Sequence, residues 1–383
     1  MAQQSSGYPK PSSWMALSAL SLGLLAALPA VAADSLPAGD GFLAGIHRHK
    51  ILGSTVPDNG DQNPYAVIVA PVSAGKIAKG DVLIDNFNDK NNLQGLGTTI
   101  VDYNPTSKAL TLIASFPRDQ AGCPGGVGLT TAMTMLKSGW IIVGSLPSKD
   151  GMTGTKGQGC LLVTDAAGKF ATAISTPNIN GPWGNMAVID KGDTATLFVS
   201  NTGFGVTAPG QDVVRQATVL RLDLAIAAGK LPVVTKETVI GSGFAEQADK
   251  DVFIIGPTGL ALAMDGTLYV SDAIDNRIAA IENAATRTDS AGLGKTVTTG
   301  GLMHRPLAMA ITADQHLLVT NGLNGQIVEI DPAKGKQVGA RWIDKNEAQT
   351  PPGSGDLFGF ALTPDGKGFY YVEDEVNMLV LAQ

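Results

Sequence analysis

Charge is scarce in these 383 residues: Asp, Glu, Lys and Arg together make up 16% of the chain. Long solvated helices have little to build on, whereas short strands joined by tight turns suit such a composition. Aromatic residues are also few, at 5%, which argues against a platform for stacking single-stranded nucleic acid. The formal net charge of -7 repels phosphate backbones as well. Four histidines and two cysteines offer few soft metal donors. No Gly-x-Ser-x-Gly, His-Glu-x-x-His or phosphate-loop pattern occurs.

The first charged residues are also sparse. Lys10 is the only one before Asp34. Residues 14–28 form an apolar core rich in Leu and Ala, and Ala30-Val31-Ala32 supplies small residues where a leader is cleaved. A secretory leader over residues 1–33 is expected, followed by one domain over 34–383. The competing reading is an uncleaved anchor, for which the apolar core is short. No Cys follows that core, which disfavours a lipid anchor. A periplasmic or secreted location follows, with no membrane span after cleavage. In an oxidising compartment Cys123 and Cys160 are expected to pair, two free buried thiols being the alternative. The bridge would close a loop of about 38 residues, worth roughly 4 kcal/mol in the chain-entropy model.

Glycine is plentiful, 47 residues, and the chain repeats itself. A Pro followed two residues later by Gly or Ala opens most of the units. The openings are Asn63-Pro64-Tyr65-Ala66, Cys123-Pro124-Gly125-Gly126, Gly181-Pro182-Trp183-Gly184, Gly256-Pro257-Thr258-Gly259 and Arg305-Pro306-Leu307-Ala308. A sixth, Asp356-Leu357-Phe358-Gly359, keeps the small residue without the Pro. Each unit has room for four short strands. The small residue fits an inner strand crowded at an axis. A Pro that starts a strand costs no ladder donor.

The most regular unit spans residues 256–281. Asp265-Gly266 makes a tight turn between two strands, and Asp272-Ala273-Ile274-Asp275-Asn276 a second turn before a third strand. Pro257, Gly259, Asp265-Gly266, Tyr269-Val270, Asp272, Asn276 and Arg277-Ile278 resemble the NHL repeat, a blade unit of β-propellers in the TolB-like superfamily. The resemblance implies an exported bacterial protein and an all-β fold, a six-bladed antiparallel β-propeller. Because the sixth unit ends after three strands, residues 49–57 are expected to pair with the last blade as its fourth strand and close the ring. Closure removes the two open edges of a linear array. The second-to-third loops 86–97, 144–158 and 202–216 and the blade connections 241–255 and 345–355 emerge on one face. Loops of this length often carry function.

The candidate ligand site is the central mouth on that face, lined by Asn63, Asn180, Asp251, His304, Arg305 and Asp356, with Trp183 able to stack a ligand or to pack between blades. His304-Arg305 with Asp356 is the sharpest group: a base or metal ligand, an anion clamp and a carboxylate. The competing reading is a structural Arg305–Asp356 ion pair. Asp85, Asn201, Asp272, Asn321 and Asp374 end second strands, as oxygen donors for a metal or, more simply, as caps of the following turns. His47 and His49 share one strand face but have no third ligand. Gluconolactonase-like hydrolases hold a divalent metal in the mouth with Glu, Asn and Asp. The set is not matched here, since Asn63 stands where they use Glu. Peptide-amidating lyases use several His, and only His304 lies centrally.

The leading expectation is therefore a monomeric exported propeller that binds a small-molecule, peptide or protein ligand on its long-loop face. The alternative is a metal-assisted hydrolase or lyase with its site in the central mouth, the divalent metal being its cofactor.

Overall fold

The computed structural model describes residues 41–383 apart from Asp356. The expected leader and Asp356 lie outside the described residues. Twenty-six strands form six antiparallel sheets arranged as the blades of a β-propeller. Blade 1 holds β2 (Gln62–Val69), β3 (Val82–Asn88), β4 (Thr99–Tyr103) and β5 (Leu110–Ser115). Blade 2 holds β6 (Leu129–Met135), β7 (Ile141–Ser145), β8 (Cys160–Thr164) and β9 (Phe170–Ile174). Blade 3 has an interrupted inner strand, β10 (Gly181–Pro182) and β11 (Ala187–Asp190), then β12 (Thr194–Thr202), β13 (Val214–Ala225) and β14 (Val233–Asp249). A short β15 (Phe253–Ile255) folds back on the end of β14. Blade 4 holds β16 (Pro257–Leu262), β17 (Leu268–Asp272), β18 (Arg277–Ile281) and β19 (Lys295–Thr299). Blade 5 holds β20 (Pro306–Ile311), β21 (Leu317–Asn321), β22 (Gln326–Asp331) and β23 (Lys336–Trp342). Blade 6 holds β24 (Leu357–Leu362), β25 (Phe369–Glu373) and β26 (Met378–Ala382).

The ring closes as the sequence implies. β1 (His49–Ser54) pairs antiparallel with β26, from His49 opposite Ala382 to Ser54 opposite Met378. Ahead of it, residues 42–45 make one 3-10 turn whose Leu43 is buried. The carboxylate of Glu329 on β22 accepts the Phe42 and Leu43 N–H groups at 3.0 and 2.9 Å and contacts His316 Nδ1 at 2.6 Å.

Alternation explains the packing. Successive side chains on a strand point to opposite sides, so each blade serves two neighbours. On β17, Leu268 and Val270 pack toward blade 3 while Tyr269 packs toward blade 5. Six such apolar layers fill the six blade junctions, and a seventh cluster sits at the ring's centre. Each fully buried Leu, Val or Ile in these layers contributes roughly 1.5–3 kcal/mol.

Inner strands approach closely enough to forbid side chains. A Cβ on Gly184 would stand 1.6 Å from the Thr258 carbonyl oxygen, and one on Gly359 2.0 Å from that of Tyr65. Second-strand hydroxyls strap the same junctions. Ser200 Oγ accepts from Gly184 N and donates to Thr258 O; Ser271 Oγ accepts from Gly259 N and donates to Leu307 O.

Two expectations are corrected. Cys123-Pro124-Gly125-Gly126 does not open blade 2. Its inner strand starts at Leu129, opposite Ser145, just as Pro64 lies opposite Asn86. Thr131 rather than Gly126 takes the axial place, and its hydroxyl donates to Trp183 O. Nor are residues 241–255 a loop: the outer strand of blade 3 continues to Asp249 and turns into a hairpin with β15.

Candidate functional site

The central mouth is filled rather than open. Tyr65 follows the opening Pro of blade 1, and Trp183 and Phe358 hold the same place in blades 3 and 6. The Tyr65 ring lies 5.5 Å from Trp183 and 4.3 Å from Phe358. Blades 1 and 3 are not neighbours, so the first contact crosses the axis. Phe87 stacks on Tyr65 at 4.6 Å, and Phe253 of β15 covers both Phe87 and Trp183. Leu146, Val206, Ala273 and Leu307 join this cluster, with Ala248, Val252, Ile254 and Ile255 from the same hairpin as Phe253.

The residues expected at the mouth are placed as follows. Trp183 is 3% exposed and belongs to the plug, so it packs rather than offering an open stacking face. Arg305 Nη2 lies 3.5 Å from Asp249 Oδ2, on the hairpin. His304 is exposed, and among the described residues its side chain has no hydrogen bond or ion pair; its backbone N–H is capped by Asn321 Oδ1 at 3.0 Å. Asp251 stands at the exposed hairpin tip, its carboxylate paired with Lys250 and its carbonyl accepting from Gln94 Nε2 at 2.7 Å. Asn63 has a left-handed backbone (φ 61) and its N–H donates to Asn377 Oδ1. Asn201 and Asn321 cap the turns and entering strands beside them, and Asp272 binds Arg277 at 2.8 Å.

Asn180 leads to a group that sequence reading missed. Its Oδ1 accepts from Lys156 Nζ at 3.3 Å, and both atoms line Gly203. Below them Glu246 of β14 is fully buried. Its Oε2 accepts from Thr202 Oγ1 at 2.8 Å and from Gly203 N, while Oε1 has no hydrogen-bond partner. Burial pushes the Glu246 carboxyl up to about 7, against the pull of those donors and of Lys156. Burial also lowers the Lys156 ammonium. Both shifts favour the uncharged forms, because removing the pair from water costs more than their attraction returns. A carboxyl poised near neutrality beside a softened lysine marks a candidate site for proton transfer. Three segments assemble it: the loop before β8, the opening of blade 3, and the outer strand carried beyond its expected end.

Other buried carboxyls are explained by the fold. Asp85 sits where blades 3 and 4 have their strapping serines and accepts from Ala66 N at 2.9 Å; burial drives its carboxyl well up. Asp102 is raised to about 7, by burial first and by Asp81 second. Groups with raised folded pKa values stabilise the fold at low pH and lose that contribution as pH rises. The free energy of unfolding should therefore fall between about pH 4 and about pH 7. Urea titrations at about pH 5 and about pH 8 test this, and Asp102→Asn should flatten the slope because the amide stands in for the protonated acid. An unchanged slope in that variant would count against the Asp81–Asp102 pair.

A surface cavity of about 720 Å³ lies on the opposite, tight-turn face among small residues with Trp140 and Ile226. Its ionisable lining residues are Asp165 and Asp193.

No family model matches the sequence, and no curated protein does. Solved structures do share the fold, and they are six-bladed propellers. A gluconolactonase from Xanthomonas campestris is 12% identical, with TM-score 0.56 over 91% of this chain and 94% of that one. Virginiamycin B lyase from Staphylococcus aureus is 14% identical, with TM-score 0.50 over 88% and 99%. Regucalcin from Agrobacterium tumefaciens, a calcium-binding protein, is 12% identical, with TM-score 0.50 over 86% and 93%. The likeness is one of fold. Among the described residues no three of His, Cys, Asp or Glu are grouped to hold a metal ion. The mouth offers rings and one Arg–Asp pair instead.

Proposed function

We propose that this chain is an exported hydrolase or lyase of the propeller class, working by proton transfer on the long-loop face. The carrying observation is Glu246, buried with one unpartnered oxygen and a pKa near 7, beside Lys156 and Asn180. Asp85, Asp102 and Asp272 also bury an oxygen without a partner; Glu246 is set apart from them by the Lys156 and Asn180 side chains on the long-loop side. Small cyclic esters are the first substrate class to test. In that reaction Glu246 takes the proton of an attacking water as its oxygen bonds to the ester carbon. Lys156 and the Asn180 amide stabilise the carbonyl oxygen as it gains charge. The ring C–O bond then breaks, the leaving oxygen receives the proton from Glu246, and a hydroxy acid is released. The Cys123–Cys160 disulfide supports an oxidising compartment. Among the described residues no helix is long and apolar enough to cross a membrane.

The test is acid release from a panel of γ- and δ-lactones. Wild type should turn over at least one, with a rate that rises through about pH 7, and Glu246→Gln should lose about a hundredfold or more with its melting temperature kept. No turnover of any lactone, or an unaffected variant, would favour the second reading. In that reading the long-loop face binds a ligand without chemistry. The plugged axis supports it, because no open central funnel remains.

A further inference from the structure

The β14–β15 hairpin lies over the mouth, and its Ala248, Val252, Phe253, Ile254 and Ile255 belong to the apolar cluster there. Asp249 and Phe253 stand directly opposite each other across the hairpin, so they share one face. Asp249 reaches Arg305 of blade 5. Phe253 packs edge-on to Phe87 at 5.5 Å and roughly parallel to Trp183 at 6.2 Å. A carboxylate on an arginine beside a phenyl ring among aromatic rings is how a protein would hold an aromatic acid. We propose that the hairpin is a tethered stand-in, and that the mouth it covers is a binding site for an aromatic monocarboxylate.

Several observations separate this from an ordinary plug. The hairpin is held by only three residue pairs. Phe253 has φ 65, a left-handed conformation that is a genuine outlier for a bulky residue and costs on the order of 1–3 kcal/mol. Beyond its apolar underside, the hairpin is tied down by isolated polar contacts. Gln94 reaches Asp251 O, Thr153 Oγ1 reaches Phe253 O, and Gln247 reaches Gln211 O. The Arg305–Asp249 contact, at 3.5 Å, is long for a charge-assisted bond. A free carboxylate, not constrained by a hairpin, can take the guanidinium fork with two short bonds.

Lifting the hairpin would leave Tyr65, Phe87, Trp183 and Phe358 as an aromatic box, with Arg305 unpaired on its rim. Burial first, and then the charges of Asp374, Asp249 and Asp85, raise the Tyr65 hydroxyl. The single guanidinium of Arg305 on the rim suits a ligand with one carboxylate. A tethered competitor lowers apparent affinity by the fraction of molecules in the open state. Variants that disable the stand-in should therefore bind more tightly.

The probe is phenylacetate, measured by calorimetry and by quenching of tryptophan fluorescence, with benzyl alcohol and acetate as controls. Phe253→Gly removes the ring, and glycine keeps the left-handed backbone without strain. Asp249→Asn removes the charge on Arg305 but keeps the acceptor that caps Asp251 N and Val252 N. Each variant should bind phenylacetate about tenfold more tightly than wild type, and adding Arg305→Gln to either should abolish the gain. Equal affinity in wild type and Asp249→Asn, or benzyl alcohol binding as well as phenylacetate, would overturn the proposal. If Phe253→Gly does not fold, Asp249→Asn decides alone. Binding is read without turnover, so this site can fail while the Glu246 reading stands, and the reverse.

Discussion

Replacing Gly184 with alanine abolishes the folded ring. The added Cβ would stand 1.6 Å from the Thr258 carbonyl oxygen and 2.1 Å from its carbon, both backbone atoms of the next blade. Neither side can yield without breaking the strap that Ser200 makes to the same two residues. The cost should exceed about 4 kcal/mol, the exceptional end of single-substitution effects. Gly192→Ala is the control. Gly192, unlike Gly184, has a positive φ, 94°, and nothing lies within 4 Å of its Cβ position, so the loss there is about 1 kcal/mol. Soluble yield and urea midpoints of the two variants test the pair. A Gly184→Ala protein that unfolds with wild type would refute the close approach of inner strands.

Losing the disulfide is the second large effect. Cys123 lies in the connection from blade 1 to blade 2 and Cys160 begins β8; both belong to the apolar layer between those blades. The bond spans 37 residues of sequence. The chain-entropy model assigns such a loop about 4 kcal/mol. Cys123→Ser with Cys160→Ser, and wild type in reductant, should each lose about that much in urea titrations. A loss below about 1 kcal/mol would mean that the packed junction already restrains the unfolded chain.

Strand order, ring closure and the cysteine pairing were legible because each leaves a local mark: alternation, turn residues at fixed offsets, or a missing fourth strand filled from residues 49–57. Blade 2 misled because Cys-Pro-Gly-Gly copies the opening motif while the true axial residues are threonines, whose hydroxyls reach Pro182 O and Trp183 O. His304 and Arg305 lie on a bend where Arg305 has a left-handed backbone (φ 60), so the alternation of a strand could not tell which of them faces the mouth. Residues 241–255 carry Gly241 and Gly243 and no clean alternation, so only tertiary contacts reveal the hairpin. With it went Glu246, Asp249 and Phe253. The plug itself left a signal that was passed over. Tyr65, Trp183 and Leu307 each follow the opening Pro, and Phe358 follows Leu357 in the same place, so aligning the openings one position further along picks them out. Lys156 carried no such mark, because a lysine in a long polar loop looks solvated until its neighbours are known.

The pairing of β1 with β26 also sets a timetable. The outermost strand of blade 6 precedes blades 1 to 5 in the chain, and its partner follows all of them. Until Met378–Ala382 exist, β1 has nothing to pair with and the 3-10 turn before it has no finished sheet to cover. Pairings between such distant segments are slow to form. A nascent chain of this design stays an unclosed array until β26 has been made. It also means that a chain cut short before Met378 would keep two raw edges, a product prone to pair with its own kind.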